Sequence, residues 1–283
     1  MSIMIVTDST SEISQKEAAK QNIAVVPLKS VFGEKEYLEG IDLTPEEFYL
    51  KLSQSKELPT TSQPAPFDFE QVFLRSLEAG DQIIVITLAS SVSGTYQSAC
   101  IAREKCGGDI WIIDSGAVTL ALQILVQMAV SLREFGKRAE EIVDIIEKEK
   151  NSVCLFAAVD TLEYLYKGGR LSRTSALAGT LLRVKPLISF NKGEIKVIGK
   201  VMGQKKSYNE LLQFVDNAGG IDYTKPFAIG YTGDHGRFID FEQECRKYFE
   251  GRAPIVGCIG SVIGTHAGPG AAAIAFFGLL QNS

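Results

Sequence analysis

The segment Gln82-Ile83-Ile84-Val85-Ile86-Thr87 decides the fold class, because it is an uninterrupted apolar run of strand length. A strand that is apolar on both faces is typical of a parallel sheet covered by helices on both sides. A turn rich in serine and glycine follows, and the pattern then predicts a helix over residues 95–105. Residues 109–114 repeat the apolar strand pattern. This alternation predicts a parallel α/β sheet in the N-terminal half.

The C-terminal half carries strands of a different kind. Residues 186–190 and 194–198 are apolar runs on either side of Asn191-Lys192-Gly193, and such a short connection is typical of a β-hairpin. Further strands are predicted at residues 226–231 and 255–259. The hairpin implies antiparallel pairing, so we predict a mixed sheet in this half.

We therefore predict an α/β protein of two lobes that meet along a cleft. Residues 1–152 form the lobe with the largely parallel sheet, and residues 153–283 form the lobe with the mixed sheet. A chain of 283 residues is long enough for two modest domains of this kind.

Composition argues against several classes of function. The net charge is −5, so there is no basic field that could neutralise a nucleic-acid backbone. The five cysteines are odd in number and form no CxxC pair, which disfavours structural zinc and redox chemistry. The N-terminus lacks a basic stretch followed by a long apolar core, so no signal peptide is predicted. We expect a cytoplasmic protein that does not bind nucleic acid.

Two long uncharged segments need a separate explanation. Residues 115–132 are interrupted by polar side chains such as Gln123 and Gln127, and they fit a buried helix better than a membrane span. Residues 253–283 are broken by glycines, which predicts buried strand and turn. Neither segment predicts an integral membrane protein.

Four polar loops of small residues follow predicted strands, where open α/β sheets usually bind ligands. They are Asp8-Ser9-Thr10, Thr60-Thr61-Ser62-Gln63-Pro64, Ser90-Ser91-Val92-Ser93-Gly94-Thr95 and Gly264-Thr265-His266-Ala267-Gly268-Pro269-Gly270. Ser93 and Gly94 precede a predicted helix, where free backbone N–H groups favour an anion, although simple helix capping is the alternative. Thr61 and Ser62 could likewise serve only their own turn.

Histidine is scarce, with His235 and His266 the only two. This scarcity excludes a site of three histidines, and we predict no metal. His266 is expected in a glycine-rich loop, where its imidazole could donate to an anion or simply support the turn.

A fifth segment, Lys167-Gly168-Gly169-Arg170-Leu171-Ser172, places two cations on a turn before a predicted helix. Such a turn could bind phosphate or the acidic surface of a partner. It lacks the spacing of a P-loop, so no nucleotide site is predicted.

Together with Asp114-Ser115, these segments have the order and approximate spacing of the DegV family, which the chain resembles over residues 3–280. The resemblance implies a bacterial fatty-acid-binding protein, the acyl-carrier subunit of a fatty acid kinase system. Such a protein holds one long-chain fatty acid in a buried tunnel between its lobes and presents the carboxylate to a separate ATP-dependent kinase subunit. The bound acyl phosphate would then pass to a downstream acyltransferase of phospholipid synthesis.

The resemblance also implies roles for individual residues. Thr61, Ser62, Ser93, Gly94 and His266 would form the carboxylate site, and Arg170 and Lys167 would contact the head group or the docked kinase. No catalytic residue and no cofactor besides the bound fatty acid are implied. Residues 115–132 and 253–280 would line the tunnel.

The alternative is a hydrolase or acyltransferase in which Ser93 is the nucleophile and His266 the base. Ser93 does not lie in a GxSxG motif, and the sequence marks no third, orienting acid. The carrier is therefore the preferred hypothesis.

Overall fold

A computed structural model describes residues 2–172 and 184–279 of the chain. Its first sheet is fully parallel, in the order β2-β1-β6-β7, and the predicted apolar run 82–87 is a central strand with five of six residues buried. The strands of this sheet are β1 (Ile3–Asp8), β2 (Ile23–Val26), β6 (Gln82–Thr87) and β7 (Ile110–Asp114). The prediction of a parallel α/β sheet is confirmed.

Six helices accompany this sheet within the described N-terminal half. They are α1 (Gln15–Lys20), α2 (Pro45–Gln54), α3 (Pro66–Glu78), α4 (Thr95–Cys106), α5 (Thr119–Glu134) and α6 (Ala139–Glu149). Local signals fix several starts: Thr44 accepts from the backbone N–H of Glu47 and Pro45 occupies the first helical position.

A small second sheet, in the order β4-β3-β5, lies beside the parallel one. Its strands are β3 (Lys29–Phe32), β4 (Lys35–Leu38) and β5 (Thr60–Ser62). Residues 60–62 were predicted as loop, and that prediction is wrong because Thr61 pairs with Ser30. The strand has only three residues and no apolar face, so its pairing with β3 cannot be inferred from local pattern.

The third sheet contains six strands, all from residue 153 onward, in the order β10-β9-β8-β13-β11-β12. β11 and β12 are parallel and the other neighbours antiparallel, so the sheet is mixed as predicted. The predicted hairpin is formed by β9 and β10. The strands are β8 (Val153–Ala158), β9 (Val184–Asn191), β10 (Glu194–Met202), β11 (Ala228–Tyr231), β12 (Ile255–Cys258) and β13 (Ala272–Phe277).

The described helices of this half are α7 (Glu163–Lys167), α8 (Gln204–Asn217), α9 (His235–Cys245) and α10 (Ser261–Ala267). The helix expected after residues 167–172 lies outside the described residues. The prediction that residues 253–283 are only strand and turn, with His266 in a loop, is wrong because His266 lies on α10. The helix is capped by Glu39, which accepts from the backbone N–H of Val262, 223 positions later. A cap supplied from so far along the chain leaves no local signal.

The main hydrophobic core joins the parallel and mixed sheets through α5. Ten of the sixteen α5 residues are buried, as predicted for a buried helix. Across residues 2–172 and 184–279, no helix combines the length and the apolar character that a membrane span requires. The division into units at residues 152 and 153 stays a prediction.

Candidate functional site

A cavity of about 390 Å³ lies between the mixed sheet, α10 and the loops of the N-terminal half. This volume falls within the ~300–1,000 Å³ typical of small-molecule sites. Most of the lining is apolar and comes from three regions. It includes Leu28, Leu88 and Val118 of the N-terminal half, Ile259, Val262 and Ile263 around α10, and Leu155, Ala157, Val159, Ile188, Phe190, Ile195, Ala271 and Ala273 of the mixed sheet and its margins.

The inner face of the mixed sheet gives the cavity its depth. Ala157 on β8 lies directly opposite Ala273 on β13 and beside Ile188 on β9. Opposed residues of antiparallel strands project from the same face, so two methyl groups stand where larger side chains would close the space. Ala157 is only half-buried although β8 is an inner strand, because it faces the cavity.

The predicted tail-lining segments differ in outcome. Of residues 115–132, only Val118 and Thr119 line the cavity, so that part of the prediction is largely wrong. The remainder of α5 packs into the core between the two sheets. The C-terminal segment does contribute, through Ile259 to Ala273.

Six of the seven predicted site residues line this cavity: Thr61, Ser62, Ser93, Gly94, Arg170 and His266. They come from β5, the start of α4, the turn after α7, and α10, so tertiary folding brings them together. Lys167 is not among them, because it lies exposed on α7 and pairs with Glu163 at 2.6 Å. The roles of all seven stay predictions.

Within the described residues, one hydrogen bond joins two of the predicted site side chains, with 3.0 Å between Thr61 Oγ1 and His266 Nε2. His266 Nδ1 is buried and has no hydrogen-bond partner among the described residues. Burial, together with the nearby Arg170 cation, lowers the pKa of His266 to about 4. The imidazole is therefore neutral at pH 7.

Ser93 and Gly94 form the turn that starts α4. The Ser93 hydroxyl lies 2.9 Å from Thr95 Oγ1 and accepts from the Thr95 backbone N–H at 3.3 Å. A Cβ on Gly94 would overlap the Gln63 carboxamide, whose Nε2 donates to Ser98 at 3.0 Å. Gln63 also lines the cavity. Gln63 belongs to a predicted polar loop but was not predicted as a site residue, since only its close approach to Gly94 reveals its position.

Arg170 joins the turn after α7 to the loop before α4, at the edge of the cavity. Its guanidinium donates to the Val92 carbonyl at 3.1 and 3.3 Å and to the Gly168 carbonyl at 2.7 Å. Within the described chain it has no carboxylate partner at ion-pair distance, so its charge is available to an anion. These three bonds use three of its five N–H groups.

A second polar cluster, formed by the buried carboxyl groups of Asp8, Glu12 and Glu39, lies at the other end of α10. Glu39 accepts from Ser9 Oγ at 2.6 Å, from the Val262 N–H at 2.7 Å and from Ser261 Oγ at 3.1 Å. Glu12 accepts from Thr119 Oγ1 and from the Gly260 N–H, both at 2.8 Å. We call these three groups the carboxyl cluster.

Burial raises the pKa of all three carboxyl groups, and that of Asp8 reaches about 6. The proximity of Glu39 raises the pKa of Glu12 further. Neither Glu12 nor Glu39 was predicted as a site residue. Their hydrogen bonds hold the start of α10, and hence the cavity wall, against the N-terminal half.

No group of three or more His, Cys, Asp or Glu side chains suited to a metal occurs in the part of the chain that the structure describes. The cavity therefore combines apolar walls with neutral hydroxyls, a neutral imidazole and one arginine. Fold and site together define an α/β protein with a largely apolar cavity of ligand size that also carries polar side chains.

The particular family follows from comparison with known proteins. The chain belongs to the DegV family: the sequence model of that family, described as "Uncharacterised protein, DegV family", matches residues 2–278. A DegV domain-containing protein of Caldanaerobacter subterraneus subsp. tengcongensis is 40% identical over 276 residues, covering 97% of this chain and 98% of the relative.

Solved structures extend the likeness to the whole fold. A DegV family protein from Thermus thermophilus, described by its fatty acid binding, has a TM-score of 0.89 and 31% identity, covering 99% of this chain and 100% of that one. A protein from Eubacterium ventriosum, described as binding stearic acid, has a TM-score of 0.87 and 27% identity, with 96% of each chain covered.

Proposed function

We propose that this protein binds one long-chain fatty acid in the cavity, with the acyl chain against the apolar walls and the carboxyl group at the polar end. The observation that carries the proposal is that Thr61, Ser93 and His266 line the same, mostly apolar cavity. The fatty acid binding described for similar DegV proteins supports the same ligand class.

The apolar walls can supply the affinity. Burying a methylene contributes ~0.8 kcal/mol, so ~14 methylenes offer on the order of 11 kcal/mol before association costs. Micromolar binding requires only ~8 kcal/mol. The polar end then needs only to orient the carboxyl group and keep it hydrogen-bonded.

The polar end suits a ligand that must later leave. Thr61, Ser62 and Ser93 offer neutral hydroxyls, and Gly94 precedes a helix whose first backbone N–H groups favour an anion. The two unused N–H groups of Arg170 add a cation at the margin. Because none of these side chains forms a buried ion pair, an acyl phosphate can occupy the same end as the acid.

We propose that a separate ATP-dependent fatty acid kinase subunit phosphorylates the bound carboxylate and that a downstream acyltransferase receives the acyl phosphate. Arg170 lies at the cavity margin and Lys167 is exposed on α7, so both can meet a docked protein. The protein itself acts as a carrier without a cofactor.

The alternative hydrolase receives no support from the contacts. Ser93 is bonded to Thr95 and His266 to Thr61, so the proposed nucleophile and base are paired with other groups. His266 Nδ1 has no orienting carboxylate among the described residues. Ester hydrolysis that depends on both Ser93 and His266, without partner or ATP, would restore this alternative.

Lipid extraction tests the carrier. The natively purified protein should release a fatty acid to organic solvent, detected by mass spectrometry, and should take up added acid. Ala157→Ile adds bulk to the cavity floor, so this variant should lose most of the bound fatty acid. Ala158 faces the other side of β8, so a folded Ala158→Ile variant should retain the fatty acid. Absence of bound lipid with no uptake would refute the proposal.

Kinase coupling is tested separately, with an added fatty acid kinase subunit, ATP and trapping of the acyl phosphate by hydroxylamine. Ser93→Ala combined with Thr61→Ala should reduce product formation, and Arg170→Ala should reduce it with lipid binding retained. Lys196→Ala, in an exposed ion pair with Glu194, is the surface-charge control. Unchanged turnover in the first two variants would reject the assigned roles.

A further inference from the structure

We propose that Gly168 is a positioning residue for the polar end: its missing side chain makes room for His266, and its carbonyl fixes Arg170. The inference deepens the proposed function and rests on it for its role in ligand binding. The positioning itself can be measured without any ligand.

The backbone at Gly168 does not require glycine. Its φ of −74° and ψ of −5° are accessible to any residue. A Cβ at this position would overlap His266 Nδ1, lie 2.9 Å from His266 Cε1 and lie 3.0 Å from the carbonyl oxygen of Tyr164, so the imidazole is the most severe of its contacts. Glycine is therefore needed here for the space that the imidazole occupies.

The neighbouring Gly169 differs in both respects, because its backbone conformation favours glycine but a side chain there would have space. Its φ of +73° lies in the left-handed region that favours glycine. A Cβ there would meet no atom of the described chain within 4 Å. Substituting Gly168 therefore tests steric contact with the site, whereas substituting Gly169 tests backbone strain alone.

The imidazole has little room to retreat from Gly168. Its Nε2 is held by Thr61 on the far side of the ring, and its backbone belongs to α10, which packs against α7. The Gly168 carbonyl meanwhile accepts from Arg170 at 2.7 Å. One residue therefore gives the imidazole its space by lacking a Cβ and holds the guanidinium through its carbonyl, so movement of this residue would displace both.

The test is Gly168→Ala in the full chain, with Gly169→Ala as the matched control. The imidazoles of His266 and His235 can be titrated individually by NMR, with His235→Gln assigning the signals. In Gly168→Ala the displaced ring should become more hydrated, and the His266 pKa should rise from about 4 toward 6.5. Fatty acid affinity should fall about tenfold, the equivalent of one lost hydrogen bond. Gly169→Ala should lower thermal stability and leave the His266 pKa unchanged.

If Gly168→Ala does not fold, the same substitution can be tested in a variant that lacks the imidazole. With His266→Ala the ring is absent and only the milder contact with the Tyr164 carbonyl remains, so adding Gly168→Ala should cause much less loss of folding or affinity than it does in the wild-type background. An unshifted His266 pKa in a folded Gly168→Ala protein would overturn the proposal, as would failure of the double variant where His266→Ala alone folds. If wild-type protein binds no fatty acid but the pKa shift occurs, the positioning stands and the proposed ligand fails.

Discussion

The two ends of α10 carry buried polar clusters of opposite design. At the first end, every oxygen of the three side-chain carboxyl groups of Asp8, Glu12 and Glu39 accepts at least one hydrogen bond. At the other end, His266 has one nitrogen bonded to Thr61 and the second without a partner in the described chain. A fully hydrogen-bonded buried network stabilises and fixes a fold, whereas His266 Nδ1, which faces Gly168, costs stability as a buried polar atom without a partner.

Burial also shifts the pKa values of the two clusters in opposite directions. It raises the pKa of the carboxyl groups and lowers that of His266, because in each case it disfavours the charged form. Both ends of α10 therefore hold their neutral forms over a wider pH range than free side chains would.

Removing Glu39 should have the largest effect. Glu39→Ala leaves the Val262 N–H, Ser261 Oγ and Ser9 Oγ without their acceptor, and relief of repulsion with Glu12 offsets part of the cost. We expect the free energy of unfolding to fall by about 3 kcal/mol in denaturant titrations. Glu36→Ala, at an exposed ion pair with Lys29, should change it by less than about 1 kcal/mol. Similar losses at both positions would contradict a structural role for the carboxyl cluster.

The pH dependence of stability should have opposite signs at the two ends. The folded state binds the Asp8 proton more tightly than the unfolded state, so this contribution falls as pH rises from about 4 to about 6. His266 binds its proton less tightly when folded, so its contribution rises from about pH 4 to 6.5. Each slope is at most about 1.4 kcal/mol per pH unit.

Chemical denaturation of two variants between pH 4 and 6.5 checks this. The stability advantage of wild type over Asp8→Asn should shrink with rising pH, and its advantage over His266→Gln should grow. His235→Gln, at the exposed start of α9, is the control histidine. Parallel profiles for the two variants would mean that burial does not distinguish the two ends.

Thr61→Val should have a smaller effect, confined to the ligand end. The change preserves the shape of the side chain and removes the partner of His266 Nε2, which should cost about 1 kcal/mol of unfolding free energy. Thr60→Val lies next to it on β5 and is exposed, so thermal unfolding should be nearly unchanged there. Equal changes in melting temperature for the two variants would indicate that the Thr61–His266 hydrogen bond contributes nothing to stability.

Arg170→Met should have the smallest effect on the fold. Its acceptors are two backbone carbonyls at the cavity margin, so we expect a loss of about 0.5–1 kcal/mol. Removing the cation should raise the His266 pKa by less than about one unit, measured by NMR titration. Lys167→Met, whose ammonium is exposed and paired with Glu163, should shift this pKa less. A larger shift in Lys167→Met would place the relevant charge elsewhere.

The strands could largely be predicted from sequence because buried strands carry a strong local signal. The run 82–87 and the hairpin around Lys192 are examples, since length, apolar content and turn residues all agree. β5 and α10 could not be predicted. β5 depends on pairing with β3, and α10 on a cap from Glu39 and on the glycine that ends it at residue 268.

The candidate site was predictable only as separate motifs. Six of the seven residues line one cavity, but their contacts join residues such as Thr61 and His266, which are 205 positions apart. The carboxyl cluster was missed because an isolated glutamate is usually exposed, and its burial here depends on three elements meeting. The roles assigned by resemblance stay predictions until the variants are measured.

Because the hydrophobic core around α5 is continuous, a molecule bound in the cavity changes the stability of the whole chain. Any molecule that fills the cavity touches side chains from both the parallel-sheet half and the mixed sheet. Binding to the folded chain alone adds to the unfolding free energy by mass action, about 2.7 kcal/mol at a free concentration one hundred times the Kd. Such a ligand would lower the fraction of the chain that is transiently unfolded, and with it the rate of cleavage by proteases that attack the unfolded form.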